Sequence, residues 1–493
     1  MAWFVGEAPI DLEANVDWVF EGRSKLWRYN LHYFDYLGWP DLRDARKAAL
    51  VDSWIAGNPE GHGDGWEAYT TSLRVVNWIK WFWMRPDLSR ASTESLARQV
   101  AWLESNVEWH LLANHVFKNA KALVFGGAFF GGRQGDQLLA EGLDLMLGQC
   151  REQILTDGGH YERSVMYHAI VLEDLLDVVQ LLRLNPSLAP MPIASELQRT
   201  ASNAFHYFED VLAADGEMPL FNDAALGVTP PAPTITSYGR QVLGMEDGAD
   251  RAAQGPLRVC KADTGYFGYR NGGESLLIDC GPGGPDYQPG HTHADTLGYE
   301  LCLDGRRIVV DSGTYDYENT PLRHYLRSTA AHNTVVVDGE SQSEVWGAFR
   351  VARRARPLYA ELSLLVDGNL TFCGAHDGYH RLSGHVVHER HITVRVGQSW
   401  DIRDCITGTG VHLVESYIHL HPECRVERVA AQEYLVLVDL KPVVRIVVAS
   451  AAEVAEERGV YCPRFGQQQE RTTLVLRSKM TLPDELRYII ERA

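Results

Sequence analysis

Two histidines and an aspartate stand within five residues in the run Gly290-His291-Thr292-His293-Ala294-Asp295-Thr296-Leu297-Gly298. Imidazole, carboxylate and tight glycine turns at one place suit chemistry better than packing. On an extended segment the period of two turns both rings to one face, where they could share a metal, a proton or a substrate. In a chain with 19 histidines, a hydrogen-bonded structural pair is the competing reading. The sequel favours a site. Asp311 follows the apolar run at 308–310, and His332, with Asn333, precedes another at 334–337. Three strand-like segments thereby bring forward His293, Asp311 and His332, an N/N/O ligand set suited to zinc.

Three earlier stretches place polar groups where an apolar pattern would not require them. Asn114 and His115 set an amide and an imidazole side by side at a helix boundary, where Asn is also a natural cap. Residues 157–168 pack Tyr161, Glu162, Arg163, Tyr167 and two histidines into the mouth of the next helix. There the four-residue rule puts Arg163 and Tyr167, or Ser164 and His168, on one face. Residues 63–74 supply Trp66 and Tyr69, surfaces on which sugar rings stack, or alternatively core.

These residues need elements to hold them. Apolar spacings of three and four mark helices over 72–82, 96–112, 137–154, 165–184 and 193–212, joined by glycine-rich connections at 57–65, 126–135 and 158–159. Helices of this kind suggest hairpins stacked into a bundle or an incomplete toroid. The periodicity fails between 224 and 256, where residues 229–234 read as a linker and 237–243 as a short helix. Beyond it, short alternating segments at 274–279, 296–303, 306–311, 333–338, 391–396, 434–440, 443–449 and 472–477 read as a large antiparallel sandwich. The fold class is therefore α+β in two domains, helical over 1–245 and β-sandwich over 256–493.

A formal charge of −19 argues against nucleic acid as a partner, because a phosphate polymer is repelled at long range. A polyanionic sugar would meet the same field unless arginines offset it locally. The eight cysteines are scattered without a Cys-x-x-Cys pair and read as buried thiols, with disulfides still open. The start of the chain lacks the basic residues and apolar run of an export signal, which reads as cytoplasmic unless such a signal has been trimmed. No apolar run has membrane-spanning length.

Asn114-His115, Tyr167-His168 after Asp157-Gly158, and the run from His291 to Asp295 with Asp311 and His332 together resemble the heparinase II/III-type polysaccharide lyases. The resemblance covers most of the chain and is strongest over 290–333. It implies an incomplete (α/α) toroid followed by an antiparallel β-sandwich. It also implies β-elimination on a uronate-containing polysaccharide: a glycosaminoglycan such as heparan sulfate, chondroitin sulfate or hyaluronan, or else alginate. The chain is similar as well to shorter members associated with bacterial exopolysaccharides. By this resemblance Asn114 and His115 neutralise the uronate carboxylate, Tyr167 is the acid and His291 the base. His293, Asp311 and His332 would hold a structural divalent metal, zinc by the donor set. Trp66, Tyr69, Glu162, Arg163, Arg323 and Arg327 would contact the sugar chain, the arginines pairing with carboxylate or sulfate.

Other classes use similar residues. A metal-dependent amidohydrolase would need alternating βα units with His-x-His on an early strand, whereas here it lies past the middle. A paired-carboxylate glycoside hydrolase on a helical toroid could draw on Glu162, Asp215, Glu217 and Asp223. A non-catalytic exopolysaccharide-binding or assembly protein on a lyase scaffold is the third reading.

Overall fold

The computed structural model describes residue 6 and residues 9–85, 87–245, 256–365 and 368–493. The first five residues, on which the export reading leans, and the stretch 246–255 between the two expected domains lie outside the described residues.

Helices occupy the first half: α1 (Lys25–Tyr33), α2 (Asp44–Gly57), α3 (Ala68–Phe82), α4 (Arg90–Glu104), α5 (Ala113–Phe130), α6 (Gly132–Gln153), α7 (Val165–Leu184), α8 (Met191–Val211) and α9 (Ala232–Leu243). Local signals start them where expected. Ser89 caps α4 by accepting the Ser92 amide at 3.0 Å, and Pro231 precedes α9 as a fixed-φ entry. The linker expected over 229–234 is shorter than predicted, because α9 already begins at Ala232.

The glycine-rich stretch at 126–135 is not a loop. Gly126 and Gly127 lie inside α5, and only Gly131 and Gly132, at φ near +60°, make the turn into α6. A Cβ on Gly127 would stand 2.5 Å from the Leu139 amide nitrogen, and one on Gly142 would stand 2.7 Å from that of Val124. These glycines let two helix backbones approach closely, a use that resembles a connection in the sequence.

The chain divides into two compact units, residues 1–154 with 170–202, and residues 155–169 with 203–493. Within the second unit all named strand pairings are antiparallel. A five-stranded sheet runs β1 (Leu257–Lys261), β2 (Tyr266–Asn271), β3 (Glu274–Asp279), β4 (Tyr299–Leu303) and β5 (Arg306–Val309) in order. An eight-stranded sheet contains, side by side, β9 (Pro357–Leu364), β10 (Leu370–His376), β11 (Val387–Arg395), β12 (Ser399–Thr407) and, further along the chain, β19 (Asp484–Arg492). A four-stranded sheet joins β6 (Val335–Val337) and β13 (Val411–His419) to β17 (Glu453–Arg464) and β18 (Gln467–Thr481), β7 (Glu344–Gly347) pairs with β8 (Arg350–Ala352), and β14 (Arg425–Ala430), β15 (Glu433–Val438) and β16 (Lys441–Val448) complete the eight-stranded sheet. Alternation decides which side faces in: β11 buries His388, Arg390, Ile392 and Val394 and leaves the residues between them partly open. Phe267, Ile278, Leu301, Ile392, Trp400, Ile446 and Ile490 join one continuous apolar core across these sheets. The helical first half and sandwich second half are the architecture expected from the two periodicities.

Candidate functional site

The second unit gathers its chemistry around Asp223. Asn222 adopts φ +58°, and its side chain ties the turn down by accepting the His293 amide at 3.0 Å and donating to the Arg163 carbonyl at 3.2 Å. The turn aims the Asp223 carboxylate inward. His291 Nδ1 meets Asp223 Oδ2 at 2.8 Å, and His293 Nε2 meets Oδ1 at 2.9 Å. The Arg323 guanidinium grips both oxygens, with Nη2 to Oδ2 at 2.8 Å. Burial alone would raise this carboxyl. The Arg323 charge and the histidine bonds overcome it and hold Asp223 well below the usual carboxylate range. An ionised Asp223 only accepts, so His291 donates Nδ1–H, and in the neutral ring the lone pair lies on Nε2.

The segment 290–298 is a loop rather than a strand. The shared face expected from the period of two is supplied instead by the two oxygens of Asp223.

Tyr167 sits in the first turn of α7, and Ser164, just before that helix, donates to the Asp223 carbonyl at 2.6 Å. The Tyr167 ring stacks on His291 with centroids 3.9 Å apart, and its hydroxyl meets that of Tyr317 at 2.9 Å. Burial first, then the neighbouring Tyr317, Asp223 and Glu162, raise the Tyr167 phenol well above its ordinary value, so it remains a proton donor. Glu162 Oε1 lies 3.6 Å from His291 Nε2. Phe349 presents its edge to His291 at 6.0 Å. A phenol, an imidazole with a lone pair and a carboxylate thus share one small space, which can move a proton on and off carbon or oxygen.

Behind it lies a group of potential metal donors. His293, Asp295 and His332 offer ligand atoms all within 4.8 Å of one another. Asp311, expected as the third ligand, is placed differently: its Oδ2 accepts from His332 Nδ1 at 2.7 Å. That bond leaves His332 Nε2, and the Asp223 bond leaves His293 Nδ1, as buried atoms without a hydrogen-bond partner. Burial holds His293 down to about 3, so its lone pair is available. Two orphaned imidazole nitrogens beside a carboxylate fit a divalent cation.

The arginines have other work than the expected pairing with sugar. Arg323 is committed to Asp223 and to the Ala348 carbonyl at 2.8 Å. Arg327, fully buried, donates to the backbone carbonyls of Thr292, Gly290 and Gly347 and so clamps the histidine loop. Arg163 donates to the Tyr161 and Asp263 carbonyls at 3.0 and 3.1 Å.

In the helical unit, Leu112 and Ala113 both take positive φ, 60° and 53°, immediately before Asn114. Such strain in non-glycine residues costs of order 1–3 kcal/mol and persists where the surroundings enforce it. His115 Nδ1 lies 3.2 Å from Glu108 Oε1 and its ring is 4.5 Å from that of Tyr69. Trp66 packs as core between Trp54 and Trp102, at 5.9 and 5.8 Å, and is 4% exposed, so it offers no open face for a sugar.

Asp223 as a hub is barely legible in the sequence, where it stands out only as one of four carboxylates for a hydrolase. Tyr317 and Asn222 carry no signal in the sequence, because their importance lies in contacts 150 and 71 residues away along the chain.

Two family models match most of the chain. The family model "Heparinase II/III N-terminus" fits residues 9–231 and "Heparinase II/III-like, C-terminal" fits 258–489. The chain belongs to the heparinase II/III-like family. A heparin-sulfate lyase of Bacteroides stercoris is 24% identical over 277 residues, half of this chain and 40% of that protein. The FtsZ-localized protein C of Caulobacter vibrioides is 23% identical over 331 residues, 64% of this chain and 53% of that protein. The chain thus spans about two fifths to one half of the curated relatives it matches. A solved heparinase III shares the fold, with a TM-score of 0.72 at 16% identity over 97% of this chain and 80% of that one. That fold is a helical toroid followed by a β-sandwich.

Proposed function

We propose that the chain is a polysaccharide lyase that cleaves a uronate-containing, acidic polysaccharide by β-elimination, with a heparan-type glycosaminoglycan as the first substrate to try. The observation that carries the reading is His291, fixed at Nδ1 by an ionised Asp223 and stacked at 3.9 Å on a protonated Tyr167. In this reading His291 Nε2 removes the proton at C5 of the uronate. The electron pair forms the C4–C5 double bond as the C4–O4 bond breaks, and the Tyr167 phenol delivers a proton to the departing O4. Asn114, with His115, is assigned to the uronate carboxylate, whose neutralisation stabilises the enolate-like charge that builds up after proton loss. Tyr317 keeps the Tyr167 hydroxyl oriented. Glu162 bears on His291 from its Nε2 side.

A divalent cation, zinc by its donors, is proposed at His293 and His332, with Asp295 completing the set and Asp311 orienting His332. When bound, it would brace the histidine loop. Asp223 is already engaged by Arg323, and Asp215 by Arg307 at 2.6 Å. Neither of these two is then free to act as one of a pair of opposed carboxylates in a hydrolase.

Incubation with heparan sulfate, chondroitin sulfate, hyaluronan and alginate, followed by ultraviolet absorbance, tests the reaction. A lyase yields an absorbing unsaturated uronate end. New reducing ends without that absorbance would replace this reading by a hydrolase.

A further inference from the structure

On the outward face of the eight-stranded sheet, three donor groups of different chemistry converge. Cys373 on β10 stands directly opposite His391 on β11, and Glu389 lies two residues before His391 on the same face. Cys373 Sγ is 3.8 Å from His391 Nε2 and 3.9 Å from Glu389 Oε1, and that same carboxylate oxygen contacts the same ring nitrogen. We propose that Cys373, Glu389 and His391 form a second divalent-metal site, for zinc or a similarly borderline-soft cation, separate from the histidine-loop cluster.

Convergence on one nitrogen decides between two uses of a Cys, a His and an acid. A nucleophilic relay needs the acid on the ring nitrogen remote from sulfur, so that the imidazole can pass charge through. Here sulfur and carboxylate both approach Nε2, the arrangement of ligands around a shared point. With Zn–S about 2.3 Å and Zn–N about 2.0–2.1 Å, tetrahedral zinc sets sulfur and nitrogen about 3.6 Å apart. The observed 3.8 Å is close to that span. The carboxylate must move outward, which its partly open position permits, since the Glu389 and His391 side chains are 27% and 40% exposed.

The surroundings favour a cation. Glu361 on β9 is the register partner of Cys373, and the Tyr359 hydroxyl also contacts Glu389. Burial and the Glu389 and Glu361 charges raise the Cys373 thiol above its ordinary value, so the free thiol is not an activated nucleophile. A bound cation reverses that effect by stabilising the thiolate directly. Arg403, opposite His391 on β12, pairs instead with Glu485 at 3.7 Å. The fourth position falls to water or to Glu361. Ligands on adjacent strands of a rigid sheet are pre-positioned, which lowers the cost of binding.

Cobalt(II) separates this site from the other cluster, because His293, Asp295 and His332 contain no sulfur. Titrating cobalt into the full chain should produce a saturable thiolate-to-cobalt charge-transfer band in the near ultraviolet, removable by zinc, that reports about one cobalt bound at this site beyond any taken up by the histidine-loop cluster. Cys373→Ser should abolish the band, whereas Cys260→Ser and Cys405→Ser should retain it. His391→Ala should weaken cobalt binding by at least the 10–100-fold typical of losing even an outer partner of a ligand, roughly. In the unsubstituted chain, zinc should also protect Cys373 from alkylation and leave the exposed Cys260 reactive, read by peptide mass mapping. A chain that shows no band, a band that survives Cys373→Ser, or a Cys373 alkylated equally with and without zinc would overturn the site.

Discussion

Two aspartates of the second unit, Asp223 and Asp404, keep nearly the same company. Asp404 accepts from Arg390 Nε and Nη2 at 2.6 and 2.9 Å, from His388 at 2.9 Å and from Ser416 at 2.8 Å. Asp223 accepts from Arg323 and two histidines. Both carboxylates are fully buried, and the paired arginine holds each below the usual range despite burial. The difference lies on the far side of the histidine. His388 turns its other nitrogen to His376 at 3.3 Å, and both rings are sealed in the sandwich. His291 keeps some exposure and leans on a phenol. An Asp–Arg–His cluster is therefore not a site by composition. Access to solvent and a neighbouring proton donor separate a catalytic candidate from a satisfied core network.

The comparison breaks most visibly through Tyr167 and His291. Tyr167→Phe keeps the ring stack and removes only the donor; turnover should fall about 10²–10⁴-fold, or about 2.7–5.5 kcal/mol, with near-normal substrate binding. His291→Ala should do the same. Steady-state kinetics on a substrate the parent cleaves checks both, and wild-type turnover in Tyr167→Phe would remove that residue from the chemistry.

Asp404→Asn should act in the opposite sense. Leaving Arg390 unpaired in the core should cost about 3–5 kcal/mol of stability, seen in denaturant unfolding, while turnover per folded molecule stays near wild type. A selective loss of turnover would erase the distinction drawn between the two clusters.

Metal analysis sharpens the division inside the first cluster. Protein purified without chelator should carry a cation that His293→Ala loses. Asp295→Asn should cost more affinity than Asp311→Asn, whose effect is that of an outer partner, about 10–100-fold. The reverse order would make Asp311 a direct ligand.

The remaining test is of pH. Burial holds His168 down to about 3, and burial with the nearby His388 charge holds His376 well below its ordinary value. The unfolded chain protonates both near pH 6.5, roughly, so it binds more protons than the fold below that point. Stability should fall as pH drops from about 6.5 towards 3, by about 1.4 kcal/mol per unit for each ring. His168→Gln should shallow the slope by one ring; an unchanged slope would mean that His168 is protonated in the fold.

Sequence patterns with local causes proved legible. The apolar runs of α7 and β3 mark residues 165–184 and 274–279, because both elements are buried over nearly their whole length. His291 stood out through local density, and Tyr167 through the family resemblance. The glycines of α5 read as a connection in the sequence, since a glycine that admits another helix and one that makes a turn are identical in one dimension.

What the sequence alone determined was the order of helices and strands and the presence of chemistry-bearing residues at 291–295 and 157–168. Tertiary structure decided what each one does. It brought Asp223 to His291 across 68 residues and Arg323 to Asp223 across 100, and set Cys373 opposite His391 by strand register. Those pairings depend on which strands and turns lie side by side after the core has closed. Protonation state and access, which make Asp223 part of a site and Asp404 part of the core, depend on burial and on charges remote in sequence.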